Sequence, residues 1–346
     1  MIVKYNDRVL ITGANGFLGS KIVEVLLAQG FDNLRCLTRP SSNLRTLEGV
    51  IKNFPGATVD IVAGNLLSLA HCRNALRDVA VVFHVAAGIE KTFPGCFMNS
   101  AVTTRNLLEA AASERGLRRF INVSSLAVYS NKGRGRRSVV AETDGLETEF
   151  MRRFDAYCFG KTKQDELVIE YGDRRKIPYI IVRPGPIYGP GSRAPIHSRV
   201  GIGTFGVFLH IGGGNRLPLS FIDNCADAIV AAGVTEGIDG EIFNVVDDDP
   251  PRSKEFLRLY KKHVAHFTSI YVPYRLFYFF CYLWERYARW SKNQLPPVFN
   301  PLKCAAEWNG NRYSNQKLKT LTSWKQRVPT SEGLRRHFAY FRGANA

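Results

Sequence analysis

A chain of 346 residues with 45% hydrophobic and 22% charged residues has the composition of a globular protein with a sizeable core, which excludes a disordered or fibrous chain. Its 47 lysines and arginines outnumber its 30 aspartates and glutamates, and the resulting net charge of +17 favours anionic partners. Because the sequence has neither zinc-finger spacings nor an aromatic RNA-binding signature, we expect no nucleic acid among those partners.

Seven scattered cysteines without a C-x-x-C pair argue against a disulfide framework and against a metal site. The first residues lead directly into a predicted strand, without the pattern of a signal peptide. No apolar run reaches the roughly 18 residues that a membrane-spanning helix requires. These features predict a cytoplasmic protein that holds no metal.

The first predicted elements are a strand, a glycine-rich loop and a helix. Arg8–Thr12 is a short apolar run, GANGFLG follows at 13–19, and residues 21–30 have apolar side chains at helical spacing that end at Gly30. Glycines between a strand and a helix allow a tight turn and let the backbone approach a pyrophosphate, which then binds the free N–H groups of the helix. This arrangement predicts a dinucleotide site.

The end of the second predicted strand, Asn33–Thr38, distinguishes between NAD and NADP. A carboxylate about 20 residues after the glycines would bind the ribose 2′-hydroxyl of NAD. Here that position is Arg39, with no acidic residue from 34 to 43, and Asp32 lies before the strand. Since an arginine can pair with a 2′-phosphate, we expect NADP, with NAD as the alternative. A solvated arginine at a strand end is the other interpretation of Arg39.

The first half of the chain contains four more predicted buried strands and two long helices. The strands are at 58–62, 79–85, 119–124 and 179–183, and the helices are at 102–112 and 155–171. Alternating strands and helices predict an α/β fold with a doubly wound parallel (Rossmann) sheet. Loops rich in glycine and proline follow from about Pro186. We therefore expect an NAD(P)-binding domain at 1–185 and a smaller substrate lobe at 186–346 that shares some elements with it.

Tyr157 and Lys161 are four residues apart on a predicted helix and so lie on the same face. A phenol whose pKa is near 10 is a weak base at neutral pH, and an adjacent ammonium lowers that pKa. The strand at 119–124 is followed at its end by two serines, Ser124 and Ser125, whose hydroxyls can bond a substrate oxygen. These groups predict proton transfer to or from a hydroxyl or carbonyl.

The order of motifs from residue 13 to residue 244 resembles the extended short-chain dehydrogenase/reductases, which include nucleotide-sugar epimerases and dehydratases, 3β-hydroxysteroid dehydrogenases and dihydroflavonol-type reductases. The matching motifs are GANGFLG at 13–19, Gly64-Asn65-Leu66, HVAA at 84–87, Asn99, Ser124-Ser125 before Tyr129, Tyr157 with Lys161, RPGPIYG at 183–189, FIDNCAD at 221–227 and GEIFN at 240–244. The segment at 313–341 is also similar to the family's closing segment. Asn65 stands where the family usually has aspartate, a departure that bears on adenine contacts.

This resemblance implies an NAD(P)-dependent oxidoreductase or epimerase with Ser125, Tyr157 and Lys161 as catalytic residues. Tyr157 would transfer the proton and Ser125 would orient the substrate oxygen. The implied cofactor contacts are Gly13, Asn15, Gly16, Phe17, Leu18, Gly19, Arg39, Asn65, Leu66, Val85, Ala86, Ala87, Asn99, Ser124, Tyr157, Lys161, Pro184, Gly185 and Ile187. We also expect a homodimer.

The implied substrate is a small molecule, either a sugar nucleotide or an apolar sterol- or flavonol-like alcohol. Arg216 lies seven residues before Asp223, the spacing at which nucleotide-sugar enzymes of the family bind the substrate diphosphate, although its neighbours depart from their pattern. Arg193 is a second candidate, and both residues have a solvated loop arginine as the alternative. A non-catalytic NAD(P)-binding subunit or redox sensor is the alternative function. The intact serine, tyrosine and lysine favour an enzyme.

The segment at 273–291 contains nine consecutive apolar or aromatic residues, at 276–284, among Arg275, Arg286, Arg289 and Lys292. An aromatic-rich helix with basic flanks is typical of a membrane surface, which predicts peripheral membrane contact. Burial in the substrate lobe or in a dimer seam is the alternative, and we favour it slightly. An anionic or lipid-linked substrate would agree with both interpretations and with the net charge.

Overall fold

The computed structural model describes residues 1–204, 206–292 and 294–344, with only the backbone of Ala344. The strands are β1 (Arg8–Thr12), β2 (Asn33–Thr38), β3 (Thr58–Ala63), β4 (Val79–His84), β5 (Arg119–Val123), β6 (Val139–Val140), β7 (Tyr179–Pro184), β8 (Ile187–Tyr188), β9 (Gly201–Thr204), β10 (Val207–Ile211), β11 (Ser220–Phe221), β12 (Ile242–Val245), β13 (Ser269–Val272) and β14 (Arg312–Tyr313). The helices are α1 (Phe17–Ala28), α2 (Arg45–Lys52), α3 (Leu69–Leu76), α4 (Phe93–Cys96), α5 (Thr103–Ala111), α6 (Phe150–Arg153), α7 (Ala156–Arg175), α8 (Ile222–Val234), α9 (Ser253–His263), α10 (Tyr274–Trp290), α11 (Pro301–Trp308), α12 (Gln316–Leu321) and α13 (Thr330–Ala344). A π-helical segment, Phe97–Val102, joins α4 to α5, and a 3₁₀ turn, Leu126–Val128, follows β5.

Seven strands form one parallel sheet in the order β3-β2-β1-β4-β5-β7-β12. The prediction of a doubly wound parallel sheet is therefore confirmed. The strand order reverses between β1 and β4, and in such sheets the ligand binds at the carboxyl ends of the strands beside that reversal. The glycine-rich loop at 13–19 follows β1 directly, so it lies at this place.

Successive side chains of each strand point to opposite faces of the sheet. A separate core packs on each face, so the central strands are buried on both sides. Val9 and Ile11 of β1 belong to a core that includes residues of α1 and α8. Leu10 between them belongs to a second core, with residues of α3, α5 and α7. All six residues of β4 are buried, which matches the apolar run from which a buried strand was predicted.

The second half of the chain completes the sheet and adds a smaller layer. β12 pairs with β7 at the sheet edge, so a strand of the predicted substrate lobe joins the sheet of the predicted NAD(P)-binding domain. β9, β10 and β13 form a separate three-stranded sheet. A small core that includes Phe277, Cys281, Cys304 and Trp308 lies between α10 and α11. The domain boundary near residue 185 stays a prediction.

The helix α10 coincides with the segment at 273–291, and its burial is limited. Phe277, Cys281, Glu285 and Ala288 are buried, whereas most of the other side chains are exposed. Burial within the substrate lobe therefore applies to one side of α10 only, and burial of the other side in a dimer seam stays a prediction. Within the described ranges, no helix has the length and apolar character that crossing a membrane would require.

Two buried arginines at the amino-terminal side of the sheet cap the carboxyl ends of helices. Arg35 of β2 donates to the carbonyl oxygens of Asn74, Ala75 and Arg77 at the end of α3. Arg119 of β5 does the same for α8: its guanidinium donates to Ala232 O, Gly233 O and Thr235 O and pairs with Asp239. A cation at a helix carboxyl end satisfies free carbonyl groups and interacts favourably with the helix dipole.

We expect Arg119→Met to lower the free energy of unfolding by about 3–5 kcal/mol, because it leaves buried carbonyl groups and Asp239 without their partner. Arg118→Met is the matched control. Arg118 is the adjacent residue, but it is exposed and pairs with Asp7 at the surface, so its loss should cost about 1 kcal/mol or less. Denaturant unfolding of the two variants measures the difference. If both variants lose the same free energy of unfolding, the capping of α8 by Arg119 does not contribute more to stability than a surface ion pair does.

Candidate active site

The glycine-rich loop has the geometry that a bound pyrophosphate needs. Gly13 has φ +69°, a left-handed conformation that glycine adopts without strain. A Cβ on Gly19 would lie 2.1 Å from the carbonyl oxygen of Gly13, so only glycine allows α1 to pack this closely on the loop. Gly16 is the N-cap of α1, and the first turn of the helix contains no acidic residue. Free N–H groups without a competing carboxylate fit a phosphate group.

A cleft of about 1020 Å³ extends from this loop across the carboxyl ends of the strands to the second half of the chain. All the predicted cofactor and catalytic residues line it, as does Arg193. Arg216 is not among the lining residues. It is exposed and donates a hydrogen bond to the carbonyl oxygen of Pro250, so the expectation that it contacts a substrate diphosphate is not supported here. The spacing in the sequence gives the position of Arg216 in the chain before α8, but it does not give the direction of the Arg216 side chain.

Arg39 follows the last residue of β2 and lines the outer end of the cleft. Its side chain is exposed, as a group that binds a ligand phosphate at a cleft edge must be. Asp32 precedes β2 and is therefore at the opposite end of the strand from the cleft. The end of β2 at the cleft therefore offers a guanidinium, that of Arg39, and β2 itself contains no carboxylate.

Two predicted asparagines hold the walls of the cleft. The Asn65 side-chain oxygen accepts a hydrogen bond from the Leu67 N–H at 2.9 Å, which fixes the loop after β3. Asn99 lies in the π-helical segment and donates to the carboxylate of Glu90 at 2.7 Å. Glu90 also lines the cleft, and sequence analysis missed it because nothing in its local pattern distinguishes it from a solvated loop residue.

Ser124 and Ser125 follow β5 at the centre of the cleft. The Ser125 hydroxyl accepts a hydrogen bond from the Ala127 N–H at 3.2 Å and so caps the 3₁₀ turn. The Ser124 hydroxyl is buried and lies beside the buried Asp165 carboxylate.

Tyr157 and Lys161 lie one turn apart near the start of α7. The Lys161 ammonium is buried and donates to the carbonyl oxygen of Val123 at 2.6 Å, which fixes the lysine beside the end of β5. Burial lowers the pKa of Lys161 to about 8, and the Asp165 carboxylate opposes this effect. Burial raises the pKa of Tyr157 to about 12, although the neighbouring Ser125 hydroxyl lowers that pKa. At neutral pH the phenol is thus protonated and the ammonium is charged.

A buried arginine joins the turn after Ser125 to the start of α7. Arg153 donates to the carbonyl oxygen of Ala127 at 3.0 Å, and its guanidinium pairs with Asp155 at 3.1 Å. The Asp155 carboxylate in turn caps α7 by accepting from the Cys158 N–H. The capping aspartate has a recognisable position before an apolar helix. Arg153 had no such signal, because a cation in a charged stretch of sequence is usually solvated.

His84 lies beneath this group and stays uncharged. Its ring nitrogens bond to Thr12 at 2.9 Å and to Thr104 at 2.8 Å. Burial, and to a smaller extent the positive charge of Lys161, lowers the pKa of His84 to about 3. His84 therefore places no second positive charge beneath Lys161 at neutral pH.

The far end of the cleft combines apolar walls with cations. Its apolar residues come from β9, α10, α11 and the segment before α11, and its charged residues include four from outside the predicted set. The apolar group is Ile202, Cys281, Val298, Phe299, Cys304 and Trp308, and the charged group is Arg193, Arg199, Lys303, Glu307 and Asp155. Sequence analysis identified only Arg193 among the cations, since the others converge only through the tertiary fold.

Comparison with known proteins gives one family and several distant relatives. The model of the NAD dependent epimerase/dehydratase family matches residues 9–245. Cinnamoyl-CoA reductase 1 of Petunia hybrida is 27% identical over 198 residues, which cover 56% of this chain and 58% of that protein. The mouse sterol-4-alpha-carboxylate 3-dehydrogenase (decarboxylating) is 23% identical over 344 residues, which cover 94% of this chain and 88% of that protein. The chain thus spans a little over half the length of the cinnamoyl-CoA reductases that it matches.

Solved structures share the fold at low identity. The UDP-glucuronic acid 4-epimerase of Bacillus cereus, solved in complex with NAD, is 21% identical with a TM-score of 0.72, and the match covers 98% of this chain and 100% of that one. The structure of gox2253 has a TM-score of 0.78 at 22% identity and covers 98% of this chain and 99% of that one. At these identities the similarity shows the fold alone.

Proposed function

Because the chain belongs to the NAD dependent epimerase/dehydratase family, we propose that it is an NADP-dependent oxidoreductase acting on the carbonyl or hydroxyl group of an apolar, anionic small molecule. One observation supports this most strongly: Ser125, Tyr157 and Lys161 line the same cleft as the glycine-rich loop. A hydroxyl, a phenol and a fixed ammonium at that place are the groups that proton transfer at a carbonyl requires.

The protonation states favour the direction of reduction. A phenol whose pKa is about 12 holds its proton at neutral pH and can donate it to a carbonyl oxygen. As Tyr157 loses that proton, the Lys161 ammonium on the same face of α7 stabilises the phenolate. Ser125 donates its own hydrogen bond to the same substrate oxygen. The nicotinamide cofactor, when bound, supplies the hydride.

The residues of the cleft fit NADP. The glycine-rich loop and the free N–H groups at the start of α1 would hold the pyrophosphate, and Arg39 would pair with the 2′-phosphate. The absence of an acidic residue from 34 to 43 supports NADP rather than NAD, which needs an acceptor for its ribose hydroxyl. Cations therefore lie at both ends of the cleft, Arg39 at one and Arg193, Arg199 and Lys303 at the other, as expected for a protein of net charge +17 that binds anionic ligands.

The walls of the far end favour an apolar substrate with an anionic group over a sugar nucleotide. Phe299, Trp308 and their apolar neighbours offer few hydrogen-bond partners for sugar hydroxyls, and Arg193, Arg199 and Lys303 can bind a carboxylate or phosphate. The names of two relatives agree with such chemistry: one acts on a sterol carboxylate and one on a coenzyme A thioester. Arg216, the expected diphosphate contact, lies outside the cleft.

We expect Tyr157→Phe to lower kcat by a factor on the order of 10²–10⁴, because only the transferable proton is lost. NADPH consumption should be followed with a cinnamoyl-CoA thioester, a 3-ketosteroid carboxylate and a UDP-4-keto-sugar as trial substrates. NADPH binding, measured by fluorescence, should stay within about twofold of the wild type. Tyr171→Phe is the matched control, since Tyr171 lies on the same helix but bonds to Glu109 away from the cleft.

A Tyr157→Phe enzyme with more than about a tenth of the wild-type kcat would contradict the role of Tyr157. Tight NADPH binding without turnover of any trial substrate would instead favour the non-catalytic NAD(P)-binding alternative.

The rate of reduction should fall as the pH rises through about 8, where Lys161 loses its charge. The rate falls with rising pH because the reaction needs the charged form of Lys161. Below about pH 8 the lysine is charged and Tyr157 is protonated, whereas above that pH the phenolate that forms has no adjacent cation. A kcat profile from pH 6 to pH 10 measures this, with roughly a tenfold loss per pH unit on the alkaline limb. Lys161→Arg should be slower but lack the limb, and Lys163→Gln, an exposed control on α7, should keep it. If the alkaline fall in kcat persists in Lys161→Arg, it does not arise from deprotonation of Lys161.

Arg39→Asp should weaken NADPH binding about 10- to 100-fold and improve NADH binding, because it replaces a phosphate partner with an acceptor for the ribose hydroxyl. Titration of each cofactor gives the ratio of the two dissociation constants. Arg45→Asp serves as the control for a general change of charge, since Arg45 is exposed nearby but does not line the cleft. The proposal of NADP fails if the wild-type protein already binds NADH more tightly than NADPH.

A further inference from the structure

The helix α10 has two apolar stripes: one is buried on the protein, and the other is largely exposed, with Phe280 at its margin also in contact with Phe299. Phe277, Cys281 and Ala288 form the inner stripe and are at most 4% exposed. A second set of side chains follows at helical spacing on the outer side, and each is between 41 and 79% exposed. These residues, named here the outer stripe, are Leu276, Phe279, Phe280, Leu283, Tyr287 and Trp290. At 100° per residue the outer stripe occupies a sector of about 100°, and its centre lies about 130° around the helix from that of the inner stripe.

One apolar stripe is enough to attach a surface helix to its protein, so the outer stripe needs another explanation. Apolar exposure continues on both sides of α10 along the chain. Ile270 and Tyr271 of β13, which lead into the helix, are 54% and 57% exposed, and Leu295 beyond it is 42% exposed. The exposed apolar residues therefore extend along a helix of about 26 Å and both of its connections.

The charges around the outer stripe are all of one sign. Arg275, Arg286 and Arg289 lie along one flank of the helix, and Lys292 follows its end; all four are exposed. The segment at 270–295 contains a single acidic residue, Glu285. That carboxylate is buried on the inner side.

Glu285 is also neutralised by two arginines. It pairs with Arg152 of α6 at 3.0 Å and with Arg289 at 2.8 Å. Arg136 adds a further cation from another part of the chain, with its guanidinium 4.6 Å from the ring centre of Tyr274. The outer side of α10 thus combines exposed aromatic and aliphatic side chains with uncompensated positive charge.

We propose that the outer stripe and its basic flank dock on the interface of a membrane that contains anionic lipid, with α10 lying in the plane of the interface. Aromatic and aliphatic side chains enter the boundary between headgroups and acyl chains, and arginines beside them pair with anionic headgroups. A second copy of this chain fits less well. In a two-fold symmetric contact the same patch meets itself, which would bring like-charged flanks together.

The inner stripe connects this surface to the cleft. Cys281 lines the far end of the cleft, while Phe280 beside it in the sequence belongs to the outer stripe. One helix is therefore a wall of the cleft on one side and the docking surface on the other. The docking proposal does not depend on the proposed reaction, because it rests only on the exposed residues of 270–295 and the charges around them.

Vesicle flotation of the full chain tests the proposal. At low ionic strength the protein should float with phosphatidylcholine vesicles that contain about one third phosphatidylserine, bind pure phosphatidylcholine more weakly, and dissociate at high salt. Phe279→Ser with Leu283→Ser should weaken binding by about tenfold or more. Arg275→Gln with Arg286→Gln should weaken it by about fivefold for each arginine and remove the preference for phosphatidylserine.

Matched controls separate the surface from general effects of the substitutions. Leu321→Ser with Tyr340→Ser changes two apolar residues that are exposed elsewhere, at 39% and 46%, and should bind as the wild type does. Leu276→Ser with Trp290→Ser repeats the test of the stripe at its two ends, in case the first variant is unstable. Unchanged thermal unfolding confirms that each variant is folded.

Three results would overturn the proposal. The wild-type protein could stay with the unbound fraction in the presence of phosphatidylserine vesicles, or the stripe variants could bind as tightly as their control. A dimer in sedimentation that becomes a monomer in the stripe variants would show that a second copy covers the surface instead. Binding is measured without substrate or cofactor, so a failed reaction assay leaves this test unaffected.

Discussion

A buried ion pair between Asp165 of α7 and Arg183 of β7 holds α7 against the sheet. The two side chains are at most 2% exposed and 3.1 Å apart. Asn122 of β5 donates a further hydrogen bond to the same carboxylate, and the Arg183 guanidinium stacks on the ring of Tyr129. Since an unpaired buried charge is costly, neither partner can be lost without moving the others. The carboxylate also lies one turn after Lys161 and keeps the pKa of that lysine from falling further.

The sheet around this pair and the second half of the chain form different parts of the cleft. Strands β1, β5 and β7 supply the rigid edge from which the glycine-rich loop, the serine turn and the Pro184–Gly185 turn all begin. Gly185 is necessary there, since a Cβ at this position would lie 1.9 Å from the carbonyl oxygen of Pro218. The second half of the chain then closes the far end with α10 and α11. The sheet thus fixes the end of the cleft near the glycine-rich loop, and the added layer forms the far end.

Local signals made the cofactor loop and the catalytic residues predictable from the sequence. Glycine spacing, a Tyr–Lys pair one helical turn apart and a strand that ends in serines each depend on a few adjacent residues. The contributions of Arg153, Glu90 and Lys303 depend on segments that are distant in sequence, and their local patterns resemble those of solvated residues. The position of Arg216 outside the cleft has the same cause, because spacing gives the position of a residue in the chain but not the direction of its side chain. For α10 the apolar content was evident, and the side that remains exposed was not.

The π-helical segment Phe97–Val102 has a consequence for how this chain can change in evolution. A π-helical turn contains one residue more than an α-helical turn, so the loss of one residue there would restore a regular helix. It would also rotate α5 by about 100° relative to α4 and turn Leu107 and Leu108 away from the core. The segment packs on α7, where a Cβ on Gly160 would lie 3.1 Å from Ser100 Oγ. A deletion of a single codon in this segment would therefore disturb the core and the contact with α7 together.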